Sequence, residues 1–73
     1  MEVKDLIDAA KRYLKETYDE DTISMEITNN SVVNGTGTLS VNCTVSFKGS
    51  KSNWSKKFHF EKGKVVDMSA RRR

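Results

Sequence analysis

Seventy-three residues with thirteen Lys or Arg against ten Asp or Glu, a formal net charge of +3, make one domain at most. Hydrophobic residues at 36% and charged residues at 32% suit a small folded domain better than a disordered chain, and no apolar run approaches the roughly 18 residues that span a bilayer. A single cysteine, Cys43, excludes an internal disulfide and a multi-cysteine metal site.

The N-terminal stretch MEVKDLIDAA carries acids where a signal peptide needs a basic start and a long apolar core. A reduced, cytoplasmic setting without membrane association is therefore expected. The four N-x-S/T sequons, at Asn29, Asn34, Asn42 and Asn53, then read as chance products of an Asn-, Ser- and Thr-rich chain.

Residues 3–18 have a helical period. Val3, Leu6, Ile7, Ala10, Tyr13, Leu14 and Tyr18 recur at three- and four-residue spacing, with Lys4, Asp5, Asp8, Lys11, Arg12, Lys15 and Glu16 mainly opposite. Early Asp5 and Asp8 and later Lys11, Arg12 and Lys15 suit the helix dipole. The run Asp19-Glu20-Asp21 ends the helix and reads as a solvated loop; its spacing lacks the EF-hand pattern.

From Ile23 the period becomes two, and strands are predicted over 23–33, 37–48, 51–61 and 64–70. Ile23, Met25 and Ile27 alternate with polar residues in the first. In the second, Leu39, Val41, Cys43, Val45 and Phe47 face one way, and Thr38, Ser40, Asn42, Thr44, Ser46 and Lys48 the other. Asn34-Gly35 is a strong hairpin signal, but a two-residue turn there pairs odd positions with even ones. One-sided burial then demands either a three-residue loop, setting Ile27 opposite Cys43, Met25 opposite Val45 and Ile23 opposite Phe47, or a bulge making the same shift.

Gly49-Ser50 fits a two-residue type II′ turn, which pairs Val45 with Trp54, Val41 with Phe58 and Leu39 with Phe60. That register puts Lys56 opposite Cys43 on the apolar face, so Lys56 is expected at the sheet margin or snorkelling outward. The last hairpin turns at Glu61-Lys62-Gly63. Val66, Met68 and Ala70 continue the apolar face, and Arg71, Arg72 and Arg73 are expected to fray.

The fold class is α+β: one N-terminal amphipathic helix packed on a four-stranded antiparallel meander, αββββ, in two layers and one domain over 1–73. This order of elements is similar to that of cystatin-like and related small folds in which a sheet wraps a helix. The resemblance is in element order; the cystatin inhibitory loop signature is absent, and no function is carried with it.

Chemistry is sparse. Strand alternation puts Cys43, the only thiol, on the inner face and His59, the only histidine, on the outer, so they cannot form a nucleophile–base pair. Cys43 reads as a small buried hydrophobe and His59 as a solvated strand residue. Gly35-Thr36-Gly37 lacks the lysine and helix of a phosphate-binding loop. No catalytic residue, metal ligand or cofactor is expected.

Charge layout says more. Residues 1–47 hold four basic and eight acidic side chains, net −4, and residues 48–73 hold nine basic and two acidic, net +7. The last two strands are adjacent, so the basic half is one region in space. Two readings follow. The first is a weak anion- or nucleic-acid-binding module using Lys48, Lys51, Lys57, Lys62, Lys64, Arg71, Arg72 and Arg73; an acidic protein is the other partner such a surface attracts. The bland reading of those residues is a solubilising surface that deters edge aggregation. The second is a protein-interaction or self-associating domain, a homodimer included, using an exposed sheet edge or an uncovered apolar end near Val33, Leu39, Phe60 or Val65. A ligand pocket between helix and sheet has little to orient a ligand beyond Tyr13, Tyr18 and Lys56.

Overall fold

A computed structural model describes residues 2–73 of the chain. Helix α1 spans Val3–Tyr18, as its periodicity predicts, and buries Leu6, Ala10 and Leu14. At its start the Glu2 N–H donates to Asp5 Oδ2 at 3.3 Å. At its end Asp19 takes a left-handed conformation (φ 57°, ψ 35°), and the N–H groups of Asp19 and Glu20 donate to the carbonyls of Lys15 and Leu14. Those bonds satisfy carbonyls the helix leaves orphaned. They also turn the chain back over the sheet, which decides where Glu20 lands.

Strands β1 (Asp21–Asn30), β2 (Gly37–Phe47), β3 (Ser50–Glu61) and β4 (Lys64–Arg72) form one antiparallel sheet in the order β1-β2-β3-β4. The three hairpins use one device. Asn34-Gly35, Lys48-Gly49 and Lys62-Gly63 each place both turn residues at positive φ, between 50° and 83°. That is the requirement of a type I′ turn, with glycine in its second position. The glycines recur at intervals of 14 residues, at 35, 49 and 63, so the arms of the meander are nearly equal.

This device corrects three details of the predicted register. The first hairpin has the two-residue turn, closed by Val33 and Thr36, and of the two expected solutions it takes the bulge, between Ile27 and Asn29, to restore one-sided burial; only the pairs differ. Ile27 lies opposite Val41 and Met25 opposite Cys43, one pair along from the three-residue-loop register. A second bulge between Thr22 and Ser24 leaves Ile23 51% exposed, away from the core. The second hairpin turns at Lys48-Gly49 and not at Gly49-Ser50, because type I′ wants its glycine second. Trp54 therefore pairs with Cys43, Lys56 with Val41, Phe58 with Leu39, and Phe60 with Gly37. The third turns at Lys62-Gly63 alone, and a bulge next to it brings Val65 inward opposite Phe60 and leaves Val66 exposed.

The core joins Leu6, Ala10 and Leu14 of α1 to Leu39, Val41, Cys43 and Val45 of β2 and Phe58 and Phe60 of β3. Tyr13 meets Phe58 edge-on at 6.4 Å between ring centroids. Leu39 and Phe60 are thus buried, and of the apolar residues proposed for an uncovered end only Val33 stands well exposed, at 69%. The C-terminus does not fray: Arg71 and Arg72 pair with Ser55 and Trp54, and the Arg73 N–H donates to the Asn53 carbonyl at 2.9 Å.

Candidate anion-binding face

Helix α1 covers one face of the sheet. The other is a grid of short polar side chains, because alternation in β2 and β3 sends every second residue there. The pairings define its rows. One runs Asn29, Ser40, Lys57, Ser69 across the four strands, and the next runs Glu26, Asn42, Ser55, Arg71. Ser55 Oγ donates to Asn42 Oδ1 at 2.8 Å, and one row further Thr44 Oγ1 donates to Asn53 Oδ1 at 2.7 Å.

These two rows enclose a depression of about 390 Å³. Thr28, Ser40, Asn42, Ser55 and Ser69 line it with small polar groups, and Lys57 and Arg71 supply its positive charge. Val41 and Lys56 also line it, although their side chains are buried on the opposite face, so backbone forms part of the floor. Lys57 and Arg71 are diagonal neighbours on adjacent antiparallel strands, since Lys57 pairs with Ser69. Such a diagonal separates Cβ atoms by about 7 Å, within which two flexible cationic side chains can close on one anion.

The eight basic residues singled out by sequence do not form one site. Lys57 and Arg71 meet at the depression, Lys51 lies on the same face further along β3, and Arg73 extends the row of Asn53. Lys48 belongs to the β2–β3 turn, with its ammonium 5.3 Å from the centroid of the Phe47 ring. Lys62 and Lys64 lie at the β3–β4 turn, the other end of the 12-residue β3. Arg72 faces the helix side, its guanidinium 5.7 Å from the centroid of Trp54. His59 lies on the outer face with Nδ1 3.1 Å from Thr38 Oγ1. Cys43 lies on the inner face, where burial pushes its thiol up from its ordinary value.

A second depression, of about 370 Å³, opens between α1 and the β3–β4 turn, lined by Arg12, Tyr13, Glu16, Lys64 and Val65 among others. Its charges are mixed, and Arg12 and Glu16 are exposed.

One polar site escaped the sequence reading. Lys56 is 2% exposed, so it neither sits at the margin nor snorkels outward. Its ammonium pairs with Glu20 Oε1 at 2.5 Å, and lies 5.3 Å and 5.8 Å from the ring centroids of Trp54 and Tyr18. Glu20 is accordingly not solvated with its neighbours: its side chain is 15% exposed, whereas Asp19 and Asp21 are exposed and both pair with Lys15. The one available signal was the breach of alternation that Lys56 makes in an apolar strip.

Compared with known proteins, the chain matches no family model, no curated protein and no solved structure.

Proposed function

We propose that the chain is a small non-enzymatic module that binds phosphate-bearing polymers, nucleic acid foremost, weakly and without reading sequence. One observation carries the reading. The depression on the uncovered sheet face combines Lys57 and Arg71 with hydroxyl and amide groups from all four strands. Cations supply attraction to a phosphate, and Ser and Asn side chains add hydrogen bonds without adding bulk.

The aromatic residues of KSNWSKKFHF support phosphate contacts over base contacts. Phe58 and Phe60 are buried, and Trp54 is half-buried beside Lys56 and Arg72. None of these three stands on the outer face to stack on a base, unlike the exposed aromatics of sheet-based RNA readers; the single His59 ring is the one the stretch presents there. Binding of this kind rests on counterion release and falls steeply with salt.

An amide-shift titration with short single- and double-stranded DNA at two salt concentrations tests the reading. The expected result is shifts centred on Ser40, Asn42, Ser55, Lys57, Ser69 and Arg71 that collapse at high salt. Shifts that survive high salt, or that map only to the turns, contradict it.

A further inference from the structure

β1 and β4 are the two edges of the sheet. An edge strand carries a line of unpaired backbone N–H and C=O groups, a template for another strand. Here the edges have opposite charge: β1 carries Asp21 and Glu26 and no cation, while β4 carries Lys64, Arg71 and Arg72 against Asp67. The register places the opposite charges at the same height. Glu26 pairs with Asn42, Asn42 with Ser55 and Ser55 with Arg71, so Glu26 and Arg71 terminate one row on one face.

In a four-stranded meander the first and last strands run antiparallel. A second copy moved sideways by one sheet width therefore lays its β1 antiparallel beside β4 of the first. With the rows kept in line, Arg71 meets Glu26 of the second copy on the outer face, and Ala70 meets its Ile27 on the inner.

We infer that the protein self-associates head to tail, β4 of one copy pairing with β1 of the next, with Glu26 and Arg71 setting the register. Such a contact uses two different surfaces and does not close on itself, so copies add in a row. The bulges limit its strength. They fall between Thr22 and Ser24 and between Ile27 and Asn29 on β1, and between His59 and Phe60 opposite Val66 in the β3–β4 ladder. Regular pairing is confined to the short stretch 24–27 on β1 and 67–72 on β4. Association is accordingly weak, concentration-dependent and salt-sensitive, and it needs no anion.

Sedimentation of the whole chain without nucleic acid, across a wide concentration range at low salt, tests this. The wild type is expected to rise to about twice the monomer mass or more at the highest concentrations, as an open head-to-tail contact requires, and to fall back at high salt. Glu26→Arg and Arg71→Glu, each shown folded by circular dichroism, are expected to stay monomeric. Their equimolar mixture is expected to associate again, because each supplies the charge the other lacks on the facing edge. A wild type that stays monomeric throughout overturns the inference. So do single variants that associate like the wild type, or a mixture of folded variants that fails to recover.

Discussion

The Lys56 ammonium meets the Glu20 carboxylate at 2.5 Å beneath the rings of Tyr18 and Trp54, joining the reversal after α1 to the middle of β3. An ion pair in this position is strongly destabilising to break but of little net value to keep, because burial costs each charge its hydration. Glu20→Ala, which strands a buried ammonium, is expected to lower the unfolding free energy by about 3–5 kcal/mol. The double change Lys56→Met with Glu20→Gln is expected to be neutral or stabilising by about 1–4 kcal/mol. Urea unfolding of both variants distinguishes a pair kept for stability from one kept for placement. A double variant as unstable as the single one contradicts the placement role.

Gly35, Gly37 and Gly49 rank by what a methyl group would meet. At Gly49 (φ 83°) nothing lies within 4 Å, so Gly49→Ala carries only left-handed backbone strain, about 1–2 kcal/mol. At Gly35 (φ 81°) a Cβ would stand 2.8 Å from the backbone nitrogen of Gly63, whose N–H donates to the Gly35 carbonyl. At Gly37 (φ 141°) it would stand 2.2 Å from the Ser31 carbonyl oxygen. Thermal unfolding is expected to order the alanine variants Gly49, Gly35, Gly37 from mildest to most severe, with Gly37→Ala exceeding about 3 kcal/mol.

Alkaline pH is expected to weaken the fold. Burial raises the Cys43 thiol above its ordinary 9.0 and the Tyr13 phenol above 10.0, and the Asp21 and Asp19 carboxylates raise Lys15 above 10.5. In each case the folded state holds its proton to higher pH than the unfolded state. The associated stability is complete below the unfolded value and is lost as pH rises through the folded one. Cys43 acts first, so stability begins to fall near pH 9 and Cys43→Ala flattens that first decline. The same burial predicts that a thiol reagent modifies Cys43 only when urea unfolds the chain.

Salt dependence separates the depression from the other basic residues. Lys57→Ala and Arg71→Ala are each expected to reduce the slope of log K against log salt for DNA by about 1. Lys48→Ala and Lys62→Ala, in turns at opposite ends of β3, are expected to leave it unchanged. Equal losses at all four positions would mean that diffuse charge, and not this site, holds the ligand.

The change of period from 3.6 to 2 after Tyr18, the alternation from Leu39 to Phe47, and Gly35, Gly49 and Gly63 determined by themselves the helix, the four strands, the buried side of β2 and the neighbourhood of each turn, though not the residues that make the second and third turns. Tertiary structure alone decided the register. Moving a strand by two residues keeps every side chain on its face, so the hydrophobic pattern is blind to it, and the type I′ turns with their neighbouring bulges chose instead. It also decided the fate of single charges. Lys56 and Glu20 are 36 residues apart in the chain, and Glu20 reads as one of three adjacent acids until the left-handed turn at Asp19 drops it onto the sheet. Lys57 and Arg71 become neighbours, and Arg72 turns inward to Trp54, only because β4 pairs to its end. Local pattern reports which way a side chain points; what it meets depends on which strands the turns align.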